Sequence, residues 1–359
     1  MKAAVCNNFN DPLVVEEIDM DSPGKGEVKI RMAATAICHS DLHLLNGDMH
    51  KELPIVAGHE SSGYVDELGE GVTSVKAGDK VVVTSVYSCG KCVPCLKGLS
   101  HMCDHRWDLD VKGHLRNKRG EQLFTMSMVG GFSEFTIANE AQIVKIPDDF
   151  PMDCASLLSC GVITGFGAVV NRAQVKPCSS VVVIGTGGVG LNSIQGAAVS
   201  NAYPIIAIDT LDNKLEAARV FGATHTVNAK KNDPVEVVRE LTEGWGAEYV
   251  FTTVSTNDTI RQSVTMLGKR GMAVIIGVPE SGDNFCFSPF EFLDQEKVLT
   301  ACYMGSTNLR LDIQRLVTMY QTGRYKLDEL ITARYPLEKI NGAIDALKKG
   351  EALRNVIVF

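Results

Sequence analysis

Two rhythms of apolar and polar positions divide this chain. Val28-Lys29-Ile30-Arg31-Met32 alternates apolar with polar, the period of a half-buried strand. Ser61 to Gly69 reads as a strand bounded by glycine turns. Ala77-Gly78-Asp79-Lys80 predicts a turn, and Val81-Val82-Val83 the strand after it. Irregular, glycine-interrupted sheet over residues 1 to about 100 predicts a small barrel or sandwich. From about residue 162 the rhythm changes. Ser180 to Ile184 is continuously apolar, as in a strand covered on both faces. Ile205 to Ile208, Tyr249 to Phe251 and Ala273 to Ile276 repeat it. Helical patterns fall between these runs: Leu191 to Ser200, Asn213 to Phe221 closed by Gly222, and Val235 to Leu241. Strands alternating with helices predict a doubly wound parallel sheet. Asp312 to Thr322 predicts a further helix, and Asn355 to Phe359 a final strand.

The turn after the first apolar run carries chemistry. Gly185-Thr186-Gly187-Gly188-Val189-Gly190 fits G-x-G-x-x-G between a predicted strand and a predicted helix. The first glycine allows the tight turn, the second admits a pyrophosphate, and the third lets helix pack on strand. Free backbone N–H groups and the helix dipole then face the phosphates. Glycine-rich loops are common, so the match alone says little. Asp209 ends the second strand, where a carboxylate would take ribose hydroxyls. A 2′-phosphate there would be repelled by roughly 4 kcal/mol at an effective dielectric near 20. No arginine stands at Thr210 or Leu211, and Lys214 can serve the adenosine ribose. NAD is therefore expected over NADP.

Metal-binding residue types gather in two places. Cys38-His39-Ser40-Asp41-Leu42-His43 sets a thiol, imidazoles, a hydroxyl and a carboxylate within six residues. A lone Cys-His pair is usually a buried thiol beside a surface histidine. Gly58-His59-Glu60 and Ser159-Cys160-Gly161 supply a further nitrogen and sulfur. Separately, Cys89, Cys92, Cys95 and Cys103 put four thiols inside fifteen residues. Four thiolates close a tetrahedral shell around Zn²⁺, which makes a structural site. An iron–sulfur cluster is the rival, but the fourth spacing does not suit it.

The chain has 359 residues, which suggests about two domains. A net charge of -8 argues against nucleic acid and anionic membranes as partners. No apolar run reaches the roughly 18 residues of a membrane span, and no signal peptide opens the chain. Eleven cysteines in such a chain point to metal chemistry in a reducing, cytoplasmic setting. Cys6, Cys154, Cys178, Cys286 and Cys302 remain, and most are expected to be buried thiols.

Cys38, Gly58-His59-Glu60, the four-cysteine run, Cys160 and the nucleotide turn stand in an order that resembles the zinc-dependent medium-chain alcohol dehydrogenases. The resemblance runs nearly end to end. It implies a GroES-like irregular β-barrel catalytic domain over 1–161 with a structural zinc lobe. A Rossmann domain over 162–303 and a return to the catalytic domain over 304–359 would follow. It implies NAD and two zinc ions per subunit. Cys38, His59 and Cys160 would bind the catalytic zinc, and Cys89, Cys92, Cys95 and Cys103 the structural one. Glu60 would approach the metal during ligand exchange, and Asp41 would orient His59. The alcohol proton would leave through Ser40, the cofactor ribose and His43. His39 and Arg354 would contact the pyrophosphate, beside Gly185, Gly187, Gly188, Val189, Gly190, Asp209 and Lys214.

The implied reaction is reversible oxidation of a small-molecule alcohol to an aldehyde or ketone, with hydride passing to NAD. Cysteine at position 160 favours this branch over polyol dehydrogenases, which often carry glutamate there. Glutathione-dependent formaldehyde dehydrogenases usually have tyrosine where His43 stands. A zinc- and nucleotide-binding protein without hydride transfer is the remaining alternative. Asp104 to Gly130 carries Arg106, Lys112, Arg116, Lys118 and Arg119 among interleaved acids, which predicts an exposed loop of mixed charge. Leu299 to Tyr303 reads as an edge strand, so a homodimer or homotetramer is expected.

Overall fold

The computed structural model describes every residue except 50, 109–112, 280–283 and 285. It divides into two compact units, Met1–Gly161 with Asn308–Phe359, and Val162–Thr307.

The first unit is built from short, irregular strands. Lys2–Cys6, Val14–Met20, Leu115–Asn117, Gln122–Thr125 and Ile55–Val56 close a barrel. Its interior is packed with Ala4, Val5, Ile18, Ile55, Leu123 and Phe132, all essentially inaccessible to solvent. A seven-stranded sheet lies in the same unit. Its central strand Glu27–Ala36 pairs with Glu60–Leu68, Phe135–Asn139 and the C-terminal strand Arg354–Val358. The chain end is thereby fixed beside the segment that leads into Cys38.

The second unit holds a six-stranded sheet. Its spatial order is His225–Asn228, Ile205–Asp209, Val181–Ile184, Ala247–Thr252, Leu267–Ile275 and Val298–Ala301. Every pairing is parallel. Numbered along the chain, the order is 3-2-1-4-5-6, that of a Rossmann fold. Val181, Val182 and Val183 are fully buried, as their unbroken apolar run requires.

The stretch Met152–Ala173 is a helix of 22 residues, long and apolar enough by length and composition to cross a membrane. It is a core helix: 89% of its most apolar window is buried inside the protein. Asp153, Ser156, Ser159, Thr164 and Asn171 interrupt its apolar run, so no continuous run reaches the length of a membrane span. Cys6, Cys154 and Cys302 are buried as expected, while Cys178 and Cys286 are exposed.

Candidate metal and nucleotide sites

The first unit brings Cys38, His59, Glu60 and Cys160 together. One ligand atom from each lies within 4.8 Å of the others, and all four residues are buried. Cys38 sits at the N-cap of the short helix His39–Leu45. His59 and Glu60 stand at the start of the long strand Glu60–Leu68, and Cys160 lies in a π-helical turn, Leu158–Val162. Such turns widen a helix locally and recur at functional sites.

Asp41 ties these pieces to each other. It is fully buried, and its Oδ2 accepts from the Cys38 backbone N–H at 2.8 Å. Its Oδ1 accepts from the Gly58 N–H at 3.0 Å and faces His59 Nδ1 at 3.1 Å. An ionised carboxylate only accepts, so Nδ1 carries the hydrogen and Nε2 is left as the donor atom for a metal.

Glu60 is held differently. Its Oε1 accepts from the Gly161 N–H at 3.1 Å and lies 3.0 Å from an Arg354 guanidinium nitrogen. Its Oε2 is buried without a hydrogen-bond partner among the described residues. Burial pushes the Glu60 carboxyl up to about 8, against the pull of Arg354. The hydrogen bond with Cys160 lowers the Cys38 thiol well below its usual value and raises the Cys160 thiol. Burial works against charge on His59, but Asp41 overrides it and raises the imidazole. A dry cluster of sulfur, nitrogen and an orphaned carboxylate oxygen is costly alone and suited to a cation. Two cysteines with one histidine fit catalytic zinc, which keeps a coordination position open.

Arg354 had been expected at the cofactor pyrophosphate. It is 3% exposed, its guanidinium committed to Glu60 and to the Ile37 carbonyl at 3.3 Å. The fit is close: a Cβ on Gly161 would stand 1.6 Å from an Arg354 nitrogen. Ser40 is half-buried, with Oγ 3.9 Å from Cys38 Sγ. His39 is exposed at the first position of its helix. His43 is half-buried in the last turn, with Nδ1 2.9 Å from Asp48 Oδ2. Sequence reasoning missed Asp48, although the acid stands only five residues after His43.

Cys89, Cys92, Cys95 and Cys103 form the second cluster, also with ligand atoms within 4.8 Å of one another. Backbone donors converge on the sulfurs. Cys103 Sγ accepts from the Cys89 N–H at 3.3 Å and the His105 N–H at 3.4 Å. Cys89 Sγ accepts from the Cys92 N–H at 3.4 Å. The Lys91 backbone N–H helps bring the Cys89 thiol down to about 6, whereas burial pushes Cys95 up to about 12. Four sulfurs with no open position fit a structural Zn²⁺. In the loop that follows, Lys118 is 2.6 Å from Asp19, Arg119 3.1 Å from Glu121 and Arg116 4.0 Å from Asp21. Only Glu121 belongs to the acids interleaved in this stretch; Asp19 and Asp21 come from the strand Val14–Met20 and the residue after it, and the expected loop instead supplies the barrel strands Leu115–Asn117 and Gln122–Thr125. Lys112 lies outside the described residues.

In the second unit, the turn after Val181–Ile184 gives each glycine its own task. Gly185 has φ +87°, and a Cβ there would stand 2.6 Å from Thr253 Oγ1. A Cβ on Gly190 would lie 1.9 Å from the Gly185 carbonyl oxygen, so only glycine allows that approach. Gly187 has nothing within 4 Å of its Cβ position, which leaves room for a phosphate. The helix Gly188–Val199 starts there, with Val189 in its first turn. Asp209 Oδ2 accepts from the Thr186 N–H at 2.8 Å and its hydroxyl at 2.9 Å. Its Oδ1 accepts from the N–H groups of Thr210 at 2.7 Å and Leu211 at 3.1 Å. Four donors on about four lone-pair sites therefore fix the carboxylate in place. Lys214 is half-buried on the helix Asp212–Val220.

Comparison with known proteins agrees with this construction. The model described as "Alcohol dehydrogenase GroES-like domain" matches residues 24–148, and "Zinc-binding dehydrogenase" matches residues 188–322. The NDMA-dependent alcohol dehydrogenase of Amycolatopsis methanolica is 38% identical, over 99% of this chain and 98% of its own. An alcohol dehydrogenase zinc-binding domain protein from Burkholderia ambifaria is 32% identical, with TM-score 0.95, covering 100% of this chain and 98% of its own. Benzyl alcohol dehydrogenase from Acinetobacter calcoaceticus is 31% identical, with TM-score 0.94, covering 100% and 99%. A GroES-like barrel, a Rossmann sheet and the shared sequence along nearly the whole length place the chain in the zinc-dependent medium-chain alcohol dehydrogenase family, and with it among the alcohol oxidoreductases.

Proposed function

We propose that this protein oxidises an alcohol reversibly with NAD, holding one catalytic and one structural zinc per subunit. The observation that carries the reading is the buried meeting of Cys38, His59 and Cys160. Residues 1–161 with 304–359 form the catalytic domain in this reading, and 162–303 the NAD domain. Cys38 Sγ, His59 Nε2 and Cys160 Sγ would hold the catalytic ion, which would supply Lewis acidity that brings the pKa of an alcohol hydroxyl down toward neutral. Asp41 fixes the His59 tautomer through Nδ1. Arg354 and the Gly161 N–H keep Glu60 beside the ligands, ready to enter when ligands exchange. Ser40 Oγ takes the alcohol proton as it gives its own to the cofactor ribose, which gives one to His43, and His43 releases a proton to solvent. The net balance is one hydride to the nicotinamide and one proton to water.

The glycine turn receives the pyrophosphate, with His39 and Lys214 as further cofactor contacts. The fixed carboxylate of Asp209 favours NAD, because a 2′-phosphate would meet a charge that four donors hold in place. A cytoplasmic setting accords with eleven cysteines, six of them in the two metal clusters. Subunits associate as a homodimer or homotetramer.

The test is absorbance at 340 nm with NAD or NADP and a panel of primary, secondary and aromatic alcohols. Benzyl alcohol enters the panel because of the Acinetobacter relative, and NDMA serves as acceptor in a parallel run because of the Amycolatopsis one. NAD should support kcat/KM at least about tenfold above NADP. Ser40→Ala should lower kcat by about a hundredfold while NAD affinity holds. Silence across the whole panel from fully zinc-loaded protein would leave only a binding protein. Equal kcat/KM with the two dinucleotides would remove the role given to Asp209.

A further inference from the structure

His43 stands in the last turn of the helix His39–Leu45, and the chain turns back after the C-cap Asn46. Gly47 makes that turn in the left-handed region, φ +86°, closing helix C-terminal hydrogen bonds as glycine commonly does. Its N–H donates to the Leu44 carbonyl at 3.0 Å, and the Asp48 N–H donates to the His43 carbonyl at 2.9 Å. A Cβ at position 47 would press on the Phe9 ring at 3.2 Å, so the turn is locked from the barrel side too. The result sets Asp48 Oδ2 2.9 Å from His43 Nδ1.

We propose that Asp48 is the positioning residue of the proton route, holding His43 in the tautomer whose Nε2 is bare. The proposal rests on the reading in which Ser40 and His43 carry the alcohol proton. An ionised carboxylate only accepts hydrogen bonds, so the ring hydrogen sits on Nδ1. Nε2 then keeps its lone pair and takes the incoming proton, making the ring a cation briefly. Loss of that proton to water from Nε2 restores the starting tautomer, so each turnover begins from the same state. The side chains of His43 and Asp48 are 42% and 54% exposed. A pair so open adds little to folding stability. What it does change is which nitrogen is free and which way the ring faces, because the partner of one nitrogen decides the role of the other.

The test uses the full-length, zinc-loaded protein labelled with ¹⁵N-histidine. His43→Gln identifies the His43 signals among the eight histidines. Neutral His43 should carry its hydrogen on Nδ1. Asp48→Ala should move the hydrogen to Nε2, and Asp48→Glu should keep it on Nδ1. In turnover, Asp48→Ala should lower kcat about tenfold with KM for NAD unchanged, and Asp48→Glu should restore it to within about twofold. An unchanged tautomer in Asp48→Ala overturns the proposal. So does a switched tautomer with unchanged kcat. Full activity in His43→Gln would instead overturn the proton route itself, a failure visible apart from that of Asp48.

Discussion

Asp41 is the residue on which the metal site turns. It has no exposure, and three N–H donors from two separate segments converge on its carboxylate. One donor is the backbone of Cys38 and another is the ring of His59, both in the candidate metal cluster. An amide at this position would present its NH₂ to one of those donors. The His59 ring would then lose its fixed tautomer. Asp41→Asn should therefore weaken zinc at the catalytic cluster by about 10- to 100-fold, the usual cost of removing an orienting partner. Zinc analysis after dialysis against a chelator checks it. The count should fall from two per chain to one, because the four-cysteine cluster takes nothing from Asp41. Retention of both ions by the variant would refute the role. Asp41 could be read from the sequence, since it stands three residues from Cys38. Its reach to Gly58 could not, because that contact depends on how the strand Glu60–Leu68 meets the helix.

Elements differ in how much of them the chain betrays. The apolar runs at 181–184 and 205–208 are strands because both faces are covered, and that leaves an unmistakable pattern. His225–Asn228 belongs to the same sheet but lies at its edge, with half its residues only partly buried, so no apolar run marks it. Leu115–Asn117 and Gln122–Thr125 are too short for any period to declare itself. The helix Met152–Ala173 hides for another reason. Its polar residues are satisfied inside the fold, as when the Ser156 hydroxyl donates to the Asp153 carbonyl at 2.7 Å. The four-cysteine cluster was legible because four thiols at close spacing have few other uses, whereas Cys38, His59 and Cys160 were read together only through the family resemblance. The tie between Arg354 and Glu60 was not, since 294 residues separate them.

That tie depends on Gly161, one residue after Cys160 in the π-helical turn. Arg354 cannot swing away cheaply, because Glu60 and the Ile37 carbonyl hold it in a buried site. Gly161→Ala should break the ion pair, at a cost of about 3 kcal/mol. Tm should fall by several degrees, and zinc should leave the Cys38 cluster first. A Tm within about one degree of the parent would show that the turn yields and that the guanidinium does not need glycine beneath it.

At the scale of the whole molecule, the open edge of the parallel sheet is where association would take place. Val298–Ala301 pairs with Leu267–Ile275 on one side and is the last strand in the order. Arg172 covers part of its other side, donating from Nε to the Ala301 carbonyl at 3.0 Å. The rest of the strand offers backbone groups, and such an edge tends to pair with another chain. In the sequence before the strand, Val278 is 61% exposed, Phe290 72% and Leu293 78%. An open edge suits a self-complementary interface, in which the same strand is supplied twice. Light scattering should therefore give at least twice the chain mass of 38.8 kDa. Phe290→Asp together with Leu293→Asp should shift the protein toward monomer, since burying two unpaired carboxylates would cost several kcal/mol of association. The zinc count should stay at two per chain in that variant, because both ligand sets lie within residues 38–160 of a single chain. A parent protein that scatters as a monomer at micromolar concentration would mean that this edge is left to water.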